Sequence, residues 1–495
     1  MAYTHAIRIA IVGAGAGGSS AAYYLTKAAR QNGDIIDIDV FEKRYQAGGR
    51  SRTVTPYNDS SYSPIELGAS IFVGANKNMV KAVREFDYNL ADTDIGSFGI
   101  YDGDSFVFES SEWTYWNYVK LLWRYGYTAP RTVQIHVKQA MEKFLQLYDA
   151  KFLRNHGPWE HPKDLVADLG LDGLVEESGL THFHNSRFAS EVVDAATRVN
   201  YGQNIDSIHA LGALVSMAGN DGMAVDGGNW RVFQRFLEHS NATVYFGCEV
   251  GDIRRTSSGL WQLYLGDGEH VERLYDYVIF ATPLPLFRVP YVDLYVTLVA
   301  TNASTYARDA LRGLPSHPPS MILTTDALAR HTGKTSQLEL NSVNYVQQAR
   351  KGSKDDDVDV DDEWIVKIFS ESPSAWGDQD LHVLFGGSQN VGWTHRHVFK
   401  AYPYLQPENA SSLPPFEVDD GVFYINAMAR PFVRMMGIGI GTQCYADILH
   451  THSTMESETV AARNVIGLLG AKLGYGKGWK DACTTNDDDW IWIDC

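Results

Sequence analysis

The stretch that most constrains this chain is Gly13-Ala-Gly15-Ala16-Gly17-Gly18, a short glycine run set between two segments of opposite character. Before it, Ile7-Arg-Ile-Ala-Ile-Val12 is short and rich in β-branched residues; after it, Ser19 to Ala29 repeats small and apolar residues at helical spacing. The pattern predicts strand, tight turn and helix. Glycines at this spacing permit a sharp turn, close approach of the backbone to a pyrophosphate, and close packing of helix on sheet, with the first-turn N–H groups facing the anion. The next predicted strand, Asp37-Ile-Asp-Val-Phe41, ends in Glu42, where a carboxylate would hold a ribose 2′-hydroxyl. Together these residues predict a dinucleotide-binding βαβ unit, with a βαβ core unit that binds nothing as the plainer alternative. Glu42 also argues against a 2′-phosphorylated nucleotide, which it would repel.

Downstream of Glu42 come Lys43-Arg44 and then Gly48-Gly49-Arg50-Ser51, a second glycine turn whose arginine could face the same phosphates. This arrangement resembles the second dinucleotide signature of the glutathione-reductase-like flavoproteins, which bind FAD. The predicted strand Ser63 to Val73 is broken by Gly68-Ala69-Ser70, and a glycine inside a strand often marks close approach of a ligand, here the flavin or its ribityl chain.

Length and charge bound the rest. At 495 residues the chain exceeds one ordinary core, so two domains are expected. Lys plus Arg 42 against Asp plus Glu 60, a net charge of −18, argues against nucleic acid and against electrostatic docking on anionic lipid. The expected partner is small or apolar. No uninterrupted apolar run reaches the ~18 residues of a membrane span, so no integral membrane segment is expected. The first strand begins within a few residues of Met1, which leaves no room for a signal peptide, and the chain as written reads as cytoplasmic. Four cysteines without a Cys-x-x-Cys predict no metal site; Cys483 and Cys495 could close a loop only in an oxidising compartment. The acidic run Asp355 to Glu363 lacks calcium-loop spacing and reads as a solvated loop. Four sequons, at Asn58, Asn241, Asn302 and Asn409, do not decide the compartment.

Hydrophobic patterning then places the parts. From Asn76 the chain turns helical and aromatic, most clearly from Trp113 to Tyr127, where aromatics at helical spacing favour core over the lining of an apolar pocket. Short strands return at Ala242 to Phe246, Glu249 to Arg254, Gly259 to Leu265 and Tyr277 to Thr282, as a sheet interrupted by an insertion would show. The fold expected is α/β: a Rossmann-like FAD-binding domain with an inserted mixed α+β substrate domain. The FAD-binding domain is drawn from 1–75, 221–290 and 411–470, the substrate domain from 76–220 and 291–410, and the tail from 471–495.

Glu66-Leu-Gly-Ala-Ser-Ile71, Arg198-Val-Asn-Tyr-Gly-Gln203, Val225-Asp-Gly-Gly-Asn229, and Met455-Glu456 with Ala461, Ala462 and Asn464 follow the glycine turn in order. They resemble the prenylcysteine oxidase family, also called prenylcysteine lyase, roughly from Ile7 to Leu469. The resemblance implies an FAD-dependent thioether oxidase that turns farnesyl- or geranylgeranyl-cysteine into cysteine, a prenyl aldehyde and hydrogen peroxide, with molecular oxygen as acceptor. Animal members are lysosomal and carry a signal peptide, from which this chain departs. The resemblance also puts FAD on Gly13, Gly15, Ala16, Gly17, Gly18, Glu42, Lys43, Gly49, Arg50, Gly68, Ala69 and Ser70, with Val250 near the adenine and Met455 and Glu456 at a helix start facing the flavin.

Arg198, Asn200 and Tyr201 are the expected catalytic group: Arg198 and Asn200 would hold the amino-acid end of the substrate. The alternative is that Arg198 to Gln203 only pins the insertion onto the nucleotide domain, since Tyr201 and Gln203 both need hydrogen-bond partners. Two other functions stay open: a flavin oxidase or oxidative cyclase acting on an allylic or benzylic position of a prenylated metabolite, and a non-catalytic prenyl-binding protein like the Rab GDP-dissociation inhibitors. A lipid chaperone has no need of two glycine turns and a terminal acid.

Overall fold

A computed structural model describes residues 6–91, 96–111, 113–218, 222–283, 290–334, 338–349, 363–372, 376–428 and 455–474. Cys444, Cys483, Cys495 and the acidic run before Glu363 lie outside them.

The β-branched opening forms strand β1 (Ile7–Val12), the small-residue segment forms helix α1 (Ala16–Asn32), and β2 (Ile36–Glu42) follows parallel to β1. Tyr277–Phe280 pairs parallel on the other side of β1, then Val422–Tyr424, with Glu417–Asp419 antiparallel at that edge and Thr243–Phe246 parallel to β2 at the other. Strands far apart in sequence thus share one six-stranded, largely parallel sheet. The residues of β1 are almost wholly buried on both faces, as helix-covered parallel strands require.

A second sheet has seven strands, in the order Val391–Pro403, Tyr291–Thr301, Trp364–Ser370, Leu340–Gln348, Met321–Thr324, Phe98–Tyr101 and Phe106–Glu109. Its pairs are antiparallel except for Met321–Thr324 against Phe98–Tyr101. Helices α2 (Lys77–Glu85), α3 (Thr114–Tyr125), α4 (Thr128–Leu145) and α5 (Asp194–Tyr201) arise between the segments of the first sheet, α5 ending on Gly202 in the left-handed conformation. The last helix, α6 (Met455–Lys472), is buried along nearly its whole length and packs along α1. A helix apolar or satisfied all round belongs in the interior.

Two expectations need correction here. Between Ser63 and Val73 only Ile65–Glu66 is a strand, paired with Thr53–Val54, and Phe72 makes an isolated bridge to Met223. A Cβ at Gly68 would lie 2.6 Å from the Arg50 carbonyl oxygen, so the backbone crosses the chain too closely there to stay in a ladder. Of the aromatics from Trp113 to Tyr127, Tyr125 joins the core with Leu121, as expected, while Trp113, Tyr115, Trp116, Trp123 and Tyr127 are exposed. Helical spacing of aromatics reports a face, and here that face meets solvent.

Candidate functional site

The glycine turn is built so that only glycine fits. Gly13 has φ +104°, and a Cβ at Gly18 would lie 1.8 Å from the Gly13 carbonyl oxygen, so α1 starts directly against the turn. Gly15 is the N-cap of α1 with no side-chain cap, which leaves the first-turn amides for an incoming acceptor. Ala16 and Gly17 are the first residues of that turn. The second turn lies on the first: Gly48 bridges to Gly15, the Gly48 N–H donates to the Ala14 carbonyl at 2.9 Å, and Gly49 has φ +60°.

Glu42 is buried at the end of β2 and accepts from the Ala14 N–H at 2.8 Å and the Arg44 N–H at 3.0 Å. Its carboxylate fixes the glycine turn on the terminal acid, a second task beside the one read from sequence. Arg50 donates to the Ala401 carbonyl at 2.7 Å and lies 3.2 Å from Glu458 on α6. Lys43 is exposed and 3.9 Å from Glu249, and Val250 is half-buried at the start of the strand Val250–Arg255.

One face of Val391–Pro403 carries Trp393, His395, His397 and Phe399, each ring in contact with the next. Phe399 lies 3.3 Å from where a Gly68 Cβ would be, so the ladder abuts the second glycine turn. Burial and the Arg52 charge hold both imidazoles below the ordinary histidine range. Their Nε2 atoms are buried without a partner among the described residues. Buried polar atoms left open beside an uncapped helix N-terminus and two interlocked glycine turns fit a ligand with phosphates and further hydrogen-bonding groups.

Glu66, Ser70 and Lys367 line a cavity of about 1280 Å³ together with Val199, Tyr345 and Phe369. Lys367 sits in mid-strand of β3 (Trp364–Ser370), buried, and donates to the Ser70 hydroxyl at 2.9 Å, while that hydroxyl donates to the Gly68 carbonyl at 2.9 Å. Burial pushes the Lys367 ammonium down and the Glu66 carboxyl up, to about 8 each, and each charge partly offsets the other's displacement. Glu66 accepts the Asn229 N–H at 2.6 Å through Oε1, and its buried Oε2 has no partner among the described residues. Asn229 in turn donates to the Ala69 and Ser70 carbonyls at 2.9 Å each. A buried acid and amine facing one cavity, each held off its ordinary pKa, are suited to holding and moving a proton.

Sequence reasoning passed over Lys367, although a lone lysine in Trp364-Ile-Val-Lys-Ile-Phe-Ser370 is a cation in a strand otherwise apolar enough for the interior. Glu66 and Asn229 were visible only as parts of longer blocks, without a role, and Glu458 only as part of an acidic first turn suited to the helix dipole.

The proposed catalytic group lies elsewhere. Arg198 is 1 % exposed and donates to the Thr324 hydroxyl at 3.1 Å, the Asn204 side chain at 2.6 Å, and the Leu338 and Leu340 carbonyls at 3.0 and 3.1 Å; Glu371 is 3.2 Å away. That guanidinium ties α5 to the second sheet rather than reaching for a substrate carboxylate. Asn200 is fully buried and donates to the Ser216 carbonyl at 3.2 Å; Tyr201, equally buried, packs edge-on against Tyr402. Gln203 accepts the Leu405 N–H at 2.8 Å. These partners all lie within 76–220 and 291–410, so the contacts hold the segments assigned to the substrate domain to one another and do not pin the insertion onto the nucleotide domain.

Glu456 is corrected likewise. It is fully buried and accepts the Asn78 and Met79 N–H groups at 2.8 and 2.9 Å and the Tyr148 hydroxyl, so it caps the start of α2 instead of facing a ligand. Met455 is buried at the first position of α6, and the chain leading into it lies outside the described residues.

A family model described as prenylcysteine lyase matches residues 108–436, and one described as an NAD(P)-binding Rossmann-like domain matches residues 11–86. The chain is 27 % identical over 517 residues to prenylcysteine oxidase 1 of Homo sapiens, covering 98 % of this chain and 92 % of that protein. It is 27 % identical over 514 residues to prenylcysteine oxidase 1-like of Mus musculus, covering 98 % and 93 %. Among solved structures it is similar to cyclohexylamine oxidase from Brevibacterium oxydans IH-35A, with a TM-score of 0.56, 13 % identity, and 95 % of this chain and 100 % of that one covered. A putative protoporphyrinogen oxidase from Exiguobacterium sp. 255-15 gives a TM-score of 0.54, 13 % identity, and coverage of 94 % and 99 %. At that identity the likeness speaks to the fold alone.

Proposed function

The chain belongs to the prenylcysteine lyase family, and from that premise we propose that it is an FAD-dependent oxidase of prenyl thioethers such as farnesyl- or geranylgeranyl-cysteine. The observation that carries the reading is the chain of contacts from Lys367, in the wall of a cavity, through Ser70 to the Gly68 backbone, which crosses Arg50 of the interlocked glycine turns. Gly13, Gly15, Gly18, Gly49 and Arg50 would hold the pyrophosphate, Glu42 the ribose, and the Gly68 to Ser70 backbone with the histidine ladder the flavin end.

The bound flavin supplies a hydride acceptor, which no side chain can be. The balance is a thioether, water and oxygen going to cysteine, prenyl aldehyde and hydrogen peroxide. Hydride loss leaves the carbon beside sulfur cationic, with the charge shared by sulfur and the neighbouring alkene, and water adds there. Lys367, held low by burial, takes the proton that the adding water gives up, and Ser70 fixes the amine's position. Glu66, whose carboxyl burial raises to about 8, is coupled to that amine, so the pair together sets when the amine is free to take a proton. Phe369, Tyr345 and Val199 supply an apolar wall and exclude bulk water.

The test has two arms. Purified protein should release FAD on denaturation, identified by chromatography against authentic FMN and FAD. It should then form hydrogen peroxide and prenyl aldehyde from farnesylcysteine. Turnover of prenylated phenols without sulfur, and none of farnesylcysteine, would assign the site to oxidative cyclisation instead.

A further inference from the structure

We infer that the outer face of α3 and α4 is a docking surface for an anionic lipid bilayer. Trp113, Tyr115 and Trp123 are 78 %, 78 % and 87 % exposed, and Trp116, Leu122 and Tyr127 are also exposed on the same short segment. Tyr115 with Leu122 and Trp116 with Trp123 recur seven residues apart, which puts them on one face of α3. The exposure is not that of a loose helix. Its inner side is fastened by Arg124, which pairs with Glu191 at 2.6 and 2.9 Å, and by the Tyr125 hydroxyl, 2.9 Å from the same carboxylate. A contiguous aromatic face held rigidly in water needs a partner.

Charge identifies that partner. Between Glu112 and Glu142 the sequence has Lys120, Arg124, Arg131 and Lys138 and no acidic side chain, within a chain of net charge −18; Arg124 is taken up by Glu191 and Lys138 lies 3.8 Å from Glu142, which leaves Lys120 and Arg131 without a carboxylate partner among the ion pairs of the described residues. Arg131 and Lys138 are exposed on α4, the helix that follows α3 after a short turn. Tryptophan and tyrosine prefer the boundary between headgroups and acyl chains, and cations beside them are drawn to anionic headgroups. No described helix is long and apolar enough to cross a membrane, so this surface would rest on the bilayer. A second copy of so acidic a chain would also meet cations, but tryptophan and tyrosine with cations at their side are the pattern of a headgroup boundary, and the second copy is separated from it by the experiment below. The inference rests on exposure and charge and stands apart from the reading of the catalytic cavity.

The test is sedimentation of the purified protein with vesicles of phosphatidylcholine, with and without about 30 mol % phosphatidylserine, at low salt. The wild type should sediment with the anionic vesicles and much less with phosphatidylcholine alone, and its tryptophan fluorescence should be quenched by lipids brominated near the headgroup. Trp116→Ala/Trp123→Ala should lower the bound fraction about tenfold while circular dichroism and cofactor content stay unchanged. Arg131→Glu/Lys138→Glu should weaken binding to the anionic vesicles only. Failure of the wild type to sediment, or equal sedimentation of the tryptophan variant, overturns the proposal. So does a dimer in analytical ultracentrifugation that the tryptophan variant abolishes while vesicles remain unbound, which assigns the face to a second copy.

Discussion

Lys367 is the residue whose burial has the largest chemical consequence. A lysine in mid-strand of β3 keeps its proton only at the cost of desolvation, and burial lowers its pKa to about 8. If the neutral amine accepts the proton from water, kcat/KM for farnesylcysteine should rise with pH through about 8 and then level off. The limb belongs to the coupled pair with Glu66, and it should vanish in Lys367→Met together with a ~10²-fold or greater loss of kcat, read from initial rates across the pH range. Arg198 behaves differently. With its donors on Thr324, Asn204, Leu338 and Leu340, Arg198→Ala should cost about 3 kcal/mol or more in denaturant unfolding, because buried acceptors lose their partner. Farnesylcysteine and its methyl ester should lose kcat/KM equally; selective loss on the free acid would restore a substrate role. Sequence could tell that Arg198 to Gln203 was too polar for plain core. It could not tell which way the guanidinium turned, since the acceptors at Leu338 and Leu340 are backbone atoms far along the chain.

At the scale of elements, β1, α1, β2 and the glycine turn were legible because the information is local: β-branched residues, small residues, and glycines where a Cβ would collide. The last helix was legible too, since α6 begins at Met455 as the pattern predicts, but the partners of its first turn were not. Its acidic first turn, Glu456 and Glu458, reads from sequence as a match to the helix dipole. In the fold Glu456 is spent on the amides of α2 and Glu458 faces Arg50. Burial pushes the Glu456 carboxyl up to about 7, so the folded state holds that proton more tightly than the unfolded chain does. The stabilisation is complete below the ordinary carboxylate range and is lost as pH rises through about 7. The melting temperature of the wild type should therefore fall between about pH 5 and about pH 8, and Glu456→Gln should flatten that fall, by calorimetry at constant ionic strength. An equal slope in the variant would put the pH dependence elsewhere.

For the whole molecule, two sheets of different character divide the work: the largely parallel one presents the glycine cradle, and the antiparallel one carries Lys367 and the histidine ladder to its side. That meeting was out of reach of a reading that runs along the chain, because Glu66 and Lys367 lie some three hundred positions apart. Net charge is likewise a property of the whole chain and says nothing of where the charges lie: within a total of −18, the stretch between Glu112 and Glu142 has four cations and no carboxylate. The central claim is that the cradle and the Glu66–Lys367 cavity together oxidise the carbon beside the sulfur of a prenyl thioether. Its most direct test is anaerobic mixing of the flavin-loaded protein with farnesylcysteine while the visible flavin absorbance is followed. The account predicts stoichiometric bleaching followed by release of one prenyl aldehyde per flavin, and in Lys367→Met it is the aldehyde release that slows at least ~10²-fold. An oxidised spectrum that persists with farnesylcysteine bound would contradict it.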